Sequence, residues 1–545
     1  MLQSRGNREV RYNVWNVPPS SPLDRREFLR RSIQIATLTA GAVGSSVLFD
    51  SCNGRVPRAS PPTTVEGGPP TIADWSALRA SLRGHIVLPS DRGYSTDRLL
   101  YNSKFVNLHP QGIAYCSDAD DVARCVDFGT SHYLKVAARS GGHSYGGYSS
   151  CDGLVIDVGP MASIAVDTNA NTAVVGAGAK LIDVYDSVGR HNRLLPGGSC
   201  PTVGIAGLTL GGGVGVFSRR YGMTSDNLRS ARLVTADGRI VTADAHNNAD
   251  LLWACQGGGG GNFGIVTSFE FTVHPMPQVT LFTLQYPWQA AATMLDAWQH
   301  WISAMPDELW SDCHMFAAGT SGYEAGISGV FCGSPSALAS WLAPLERDIG
   351  SAPTDRFIGS NDYITAMEIE AGCSGLSVAA CHLASQHSAG QLSRSPYSAK
   401  SSYVNGPMTT ARVALMVEAV ANLHLRAPTV GGGLSFDAYG GVINRVAPDR
   451  TAFVHRDKLA CIQATYTWSS EANPSVVAAG EEWLSWLGAN VFDPLSGAYQ
   501  NYIDPTLADW QNAYYGSNLG KLTGVKSHYD PNNVFSFRQS IPPSP

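Results

Sequence analysis

The chain of 545 residues contains no Cys-x-x-Cys pair and no His/Cys set at zinc-ligand spacing, although it has 11 cysteines, which argues against a structural metal. It also lacks Gly-x-x-x-x-Gly-Lys-Ser/Thr, so it has no P-loop. Its glycine tracts do not sit in the strand–GxGxxG–helix setting of a nicotinamide-dinucleotide site. Charge is sparse, with 38 Lys and Arg against 44 Asp and Glu and a net charge of -6; no basic patch dominates, which argues against a nucleic-acid partner. Long apolar runs are missing as well. The best candidate, 32–49, is too short and too rich in Gly, Ser and Thr for a convincing membrane-spanning helix. An odd cysteine count leaves at least one outside any intramolecular disulfide. Cys373 and Cys381 are close enough to be a candidate pair, but spacing alone does not assign it.

What the chain does have is glycine: 57 residues, clustered in tracts. One tract, Arg139-Ser140-Gly141-Gly142-His143-Ser144-Tyr145-Gly146-Gly147, follows a β-like run at 134–138. Paired glycines after a strand let the backbone turn and approach a ligand closely. A second tract runs from Pro196 through Cys200 and Gly204 to Gly213, and a third from Gln256 to Val266. Three tracts in one region suggest one long anionic ligand lying along several loops, cradled by backbone N–H groups. Taken alone, the first tract could equally be an ordinary loop with a hydrogen-bonded histidine.

The first residues look like an address. Asp24-Arg25-Arg26-Glu27-Phe28-Leu29 ahead of a mild apolar run resembles a twin-arginine export signal, a route that carries folded proteins. Secretion or cell-envelope residence through the twin-arginine machinery is therefore expected, with no stable membrane span in the mature protein. Residues 1–52 are assigned to the signal region. Residues 53–70, rich in Pro, Gly and Thr, are assigned to a disordered linker.

Further along, helical spacing is read over 71–82, 118–128 and 181–188, with short strands at 153–158, 163–167 and 172–175. After Pro275-Met276-Pro277 the pattern changes. Strands at 280–285, 327–331, 434–438 and 459–466 alternate with amphipathic helices at 291–303, 337–345, 410–424 and 475–487. The fold class is α+β, with an antiparallel sheet backed by helices in the second half. The expected divisions are a helical lead-in at 71–106, a two-part cofactor domain at 107–277 and a substrate domain at 278–490. The last segment, 491–545, is too small to fold alone and should dock back on the cofactor domain.

Motifs in order carry a resemblance: Arg-Ser-Gly-Gly-His-Ser-Tyr at 139–145, Cys-Pro-Thr-Val-Gly at 200–204, Gly-Gly-Asn-Phe-Gly-Ile-Val at 260–266, and Tyr-Gln-Asn-Tyr-Ile-Asp at 499–504, followed by the closing run from Tyr514 to Phe535. From about Asn102 onward the chain resembles the flavin-linked oxidases of the berberine bridge enzyme family, with the vanillyl-alcohol-oxidase (PCMH-type) flavin fold. The resemblance implies FAD held covalently at two points, His143 to the 8α-methyl and Cys200 to C6. Histidine nitrogen and thiolate suit that attack. The residues alone leave open that Cys200 is an inert thiol. The resemblance also implies cofactor contacts from Arg139, Ser140, Gly141, Gly142 and Ser144, from Val203, Gly204 and Gly207, from Gly261, Asn262, Gly264, Ile265 and Val266, and from Asn501.

The implied reaction is oxidation of an alcohol or hemiacetal by proton abstraction and hydride transfer to flavin N5, with O2 reduced to H2O2. Tyr502 is the implied base, its pKa lowered by a positive or hydrogen-bond-donating neighbour; Tyr145 and Gln463 assist it. No carboxylate stands beside Gln463 on its strand, which leaves the base to Tyr502. Val214 replaces a tyrosine common in plant relatives, and Val203 is small enough to leave an oxygen approach open. The substrate is expected to be a carbohydrate, with a secondary-metabolite alcohol or another electron acceptor as the alternative. Trp288, Trp298, Trp301, Trp310, Tyr439 and Trp468 are either a sugar platform or core. A flavin-bearing binding module, or a non-flavin glycan-binding protein, are readings from other classes.

Overall fold

A computed structural model describes residues 68–427, 431–469 and 472–544. The export motif and most of the linker lie outside these residues. The first helix, Ile72–Ser81, starts where expected because Thr71 and Asp74 form a reciprocal capping box. A four-stranded sheet then pairs, in spatial order, His85–Val87, Gly112–Tyr115, Leu154–Asp157 and Val136–Arg139. Its first pair is antiparallel and the other two are parallel, with the helix Ala119–Ser131 as crossover. Asp118 caps that helix by accepting from Asp121 N at 3.0 Å.

A five-stranded antiparallel sheet follows, ordered Ile164–Asp167, Thr172–Gly176, Ile265–Thr272, Leu228–Val234 and Ile240–Ala243. One apolar core joins both sheets with the helix Leu181–Arg190.

The second half is a seven-stranded antiparallel sheet, ordered Asp355–Asn361, Val279–Tyr286, Tyr323–Phe331, Leu309–Ala318, Gly431–Ala438, Ala460–Thr467 and Tyr397–Val404. The helices Ala291–Ile302, Pro335–Ile349, Thr410–Arg426 and Pro474–Asn490 bury one face in a separate core. The strands Leu309–Ala318, Asp355–Asn361 and Tyr397–Val404 go beyond the sequence-based assignment. The first reads Leu-Trp-Ser-Asp-Cys-His-Met-Phe; its polar residues at 311, 312 and 314 break the apolar run, yet almost every residue is buried. Trp298 and Trp301 belong to this core, and Tyr439 to a smaller cluster with Tyr499; of the aromatic residues considered for a sugar platform, Trp310 is the one that lines the cavity described below.

The C-terminal helix Leu519–Tyr529 packs on Ala249–Cys255 in the first half. Lys526, fully buried, bonds Asp530 at 2.6 Å and the carbonyls of Asn262 and Phe535 at 2.8 Å each. Cys373 and Cys381 are joined by a disulfide. Among the described residues no helix is long and apolar enough to cross a membrane.

Candidate active site

The strand Val136–Arg139 delivers the first glycine tract to a cavity of about 580 Å³ between the two halves, within the usual size of a ligand site. Here Gly141 meets Gly204 backbone to backbone. A Cβ on Gly141 would overlap Gly204 N and lie 2.9 Å from its Cα, so a side chain at either position would drive the loops apart. This contact sets His143 and Cys200, far apart in sequence, into the lining of one cavity.

The polar side chains of the tract are engaged with the scaffold. Arg139 is ion-paired with buried Asp157 and donates to Asp97 O at 2.9 Å. Ser140 Oγ donates to Ala177 O at 2.6 Å, and Ser144 Oγ accepts from Tyr148 N at 3.1 Å. What the tract offers the cavity is backbone: the amides of Ser140 through Ser144 donate to no described partner. A run of unengaged N–H groups is a nest for an anion, and it fits the pyrophosphate of a dinucleotide. On the facing walls, a Cβ added to Gly207 would meet nothing within 4 Å, and one on Gly261 nothing closer than 3.8 Å. Val203, Gly204, Gly264, Ile265, Val266 and Asn501 also line the cavity. Asn262 does not. It is fully buried behind the third tract, donates to Gly258 O and Gly259 O at 3.2 Å each, and accepts from Ile541 N at 2.9 Å. Its place is structural, holding the C-terminal segment.

His143 stacks on Tyr101 with centroids 4.0 Å apart, and its Nε2 lies 2.8 Å from Thr202 Oγ1. Burial, and then the charge of Lys180, lower its pKa to about 3, so the imidazole is neutral at physiological pH. Cys200 is exposed to the same cavity.

The expected catalytic residues converge. Gln463 Nε2 donates to the Tyr145 hydroxyl at 2.8 Å. The Tyr145 ring stacks on Tyr502 at 5.3 Å and takes the edge of Tyr397 at 4.9 Å. Tyr499 is scaffold: its hydroxyl accepts from Gly213 N at 2.9 Å and Val214 N at 3.1 Å, fixing the second tract.

One expectation needs correction. The Tyr502 phenol is not lowered: burial, followed by the nearby Asp437 carboxylate, raises it well above its ordinary value. The strand of Gln463 carries no carboxylate, as expected, but the next strand brings one close to it. Gly431–Ala438 pairs with Ala460–Thr467 so that Ser435 lies opposite Gln463 and Asp437 opposite Cys461. On the strand beyond, Asp312 lies opposite Asp437, takes a hydrogen bond from Ser328 Oγ and sits 3.1 Å from His314 Nδ1. Trp310, Asp312, Phe316, Ser435, Asp437, Gln463 and Thr465 all line the cavity. Their signal in the sequence is polar and aromatic residues at alternate positions of strands otherwise apolar.

Family models match the chain twice: an FAD binding domain over residues 110–244, and the berberine and berberine-like segment over 498–542. The chain is 31% identical to the FAD-linked oxidoreductase YgaK of Bacillus subtilis, over 85% of this chain and 98% of that one. It is 30% identical to the glucooligosaccharide oxidase of Sarocladium strictum, over 86% and 96%. The solved BBE-like 1 of Physcomitrella patens superposes with a TM-score of 0.77 at 31% identity, covering 86% of this chain and 99% of that one. The chain belongs to the berberine-bridge-enzyme-like family of FAD-linked oxidoreductases. It is an enzyme, its cofactor is FAD, and its fold is the α+β PCMH-type flavoprotein fold.

Proposed function

We propose that this enzyme oxidises a CH–OH group of a carbohydrate, with dioxygen as the electron acceptor and hydrogen peroxide as the by-product. The observation that carries the reading is the convergence of Tyr502, Tyr145, Gln463 and Asp437 on one side of a cavity whose other side is a backbone nest fitted to a dinucleotide. Bound FAD supplies a two-electron acceptor beside the carbinol carbon. Tyr502 receives the hydroxyl proton. Because burial and the charge of Asp437 hold its phenol protonated, Tyr502 needs an acceptor for its own proton to act as base, and Asp437 in the lining of the same cavity is the carboxylate for that role. Tyr145, held by Gln463, orients the hydroxyl, and Trp310 and Phe316 form apolar walls against which a sugar ring can lie.

His143 and Cys200 would each attach the flavin covalently; the neutral imidazole and the cavity-facing thiol suit that role. Val203 leaves the approach of oxygen open. Export rests on Arg25-Arg26-Glu27-Phe28-Leu29.

A peroxide-coupled screen of mono- and oligosaccharides against aromatic alcohols tests the substrate. Turnover of a sugar supports the reading, whereas turnover of aromatic alcohols alone moves the enzyme to secondary metabolism. Reoxidation of the substrate-reduced enzyme by air slower than about 1 s⁻¹ removes dioxygen as its acceptor.

A further inference from the structure

We propose that Thr202 is a positioning residue that fixes which ring nitrogen His143 presents to the flavin. This rests on the attachment reading above and concerns how the chain prepares for that bond.

A neutral imidazole carries one N–H and one lone pair, and the lone pair alone can act as nucleophile. In this site His143 Nε2 is committed to Thr202, with Oγ1 at 2.8 Å. With Oγ1 accepting from Nε2–H, the lone pair is left on Nδ1. Thr202 is 1% exposed, so water does not compete for the contact. Its carbonyl is itself anchored by Gln386 Nε2 at 3.1 Å. Across the ring, Tyr101 stacks at 4.0 Å and is tied to the same tract by its N–H to Gly142 O at 3.1 Å. A flip of the imidazole would have to break the Thr202 contact under that stacked ring. Thr202 also shares a turn with Cys200, whose carbonyl accepts from Val203 N at 3.4 Å. The turn that carries the thiol thus also orients the histidine.

In the attachment His143 Nδ1 gains a bond to the 8α carbon, the methyl loses one C–H, and Nε2 gives up its proton. The two protons and two electrons released reduce dioxygen to hydrogen peroxide, so the flavin ends oxidised and the balance closes.

The test uses the full chain carrying Cys200→Ser, so that the histidine bond alone is read. Thr202→Val and Thr202→Ser are compared with the parent for total bound FAD, for the fraction of flavin that stays with acid-precipitated polypeptide over time, and for the nitrogen isomer of the histidyl-flavin by NMR after proteolysis. The expected result is that Thr202→Val binds FAD, attaches it roughly three- to tenfold more slowly, the equivalent of one hydrogen bond, and yields a mixture of isomers. Thr202→Ser restores both rate and the single Nδ1 isomer. Attachment by Thr202→Val at the parental rate with a single Nδ1 isomer overturns the role of Thr202. A Cys200→Ser parent that binds FAD but releases all of it on precipitation overturns the histidine attachment and this proposal with it. If Thr202→Val fails to bind FAD, Thr202→Ala in the same background is scored by the same two outcomes.

Discussion

Gly207→Ala separates the needs of the fold from the needs of the cofactor. Gly207 sits inside the short helix Ile205–Leu210 with φ in the ordinary range, and a Cβ there meets nothing within 4 Å. The apoprotein should gain about 0.4–1 kcal/mol, because alanine loses less backbone freedom on folding. If the cavity wall at Gly207 is where FAD lies against backbone, the same methyl occupies cofactor space. The holoenzyme then loses about 1–3 kcal/mol of binding, the usual cost of overpacking, or roughly 5- to 150-fold in affinity. Gly141→Ala is the counterpart: its Cβ would lie 2.9 Å from Gly204 Cα and 3.0 Å from Thr202 O, with backbone on every side. It should destabilise apoprotein and holoenzyme alike. The assay is thermal denaturation with and without FAD, together with FAD titration of histidine- and cysteine-blocked protein (His143→Ala, Cys200→Ser) to keep binding reversible. Wild-type FAD affinity in Gly207→Ala would refute the placement of the cofactor along the second tract.

Tyr502→Phe should lower kcat by about 10²–10⁴ while leaving flavin content unchanged, and Asp437→Asn should do the same if that carboxylate receives the relayed proton; stopped-flow flavin reduction reads both, and unchanged reduction in Asp437→Asn would leave Tyr502 without its relay. His455 is buried with its pKa lowered to about 3 by burial and then by Lys458. Its unfolded form binds a proton below about 6.5, so stability is full above that pH and falls on acidification toward 3. About 2 kcal/mol should be lost between pH 6.5 and 5, a loss that His455→Gln removes in urea titrations at the two pH values. Asp530→Asn strands the Lys526 charge, which like Asp530 is 0% exposed. It should cost about 3–5 kcal/mol and loosen the C-terminal segment, read by denaturation and limited proteolysis.

The glycine tracts were legible because each keeps its chemistry contiguous: Arg139 to Tyr145 is a loop in sequence and a loop in space. The helix-backed sheet was legible for a related reason, since 291–302 and 410–426 repeat apolar residues at helical spacing. Asp437 and Asp312 were not. Each is one polar residue among a few on a largely apolar strand, and its meaning comes from a neighbour across the ladder, Asp437 beside Cys461 and Asp312 beside Asp437. Tyr101 and Thr202 were hidden for the same cause, as their roles are contacts with His143 that no spacing announces. The direction of the Tyr502 shift came first from burial and then from such a neighbour. Asn262 erred the other way: it lies within a cofactor motif, and only its buried bonds to Gly258, Gly259 and Ile541 show that it serves the scaffold.

The seven-stranded sheet divides its labour by parity. Along Gly431–Ala438 and Ala460–Thr467, Leu434, Phe436, Ile462 and Ala464 belong to the helix-covered core, while Ser435, Asp437, Gln463 and Thr465 face the cavity. Recognition and stability are therefore written on alternate letters of the same words. A single substitution at an outward letter can exchange one substrate for another while the core and the flavin loops stay as they are, so a lineage built on this sheet can diversify its chemistry by small, independent steps.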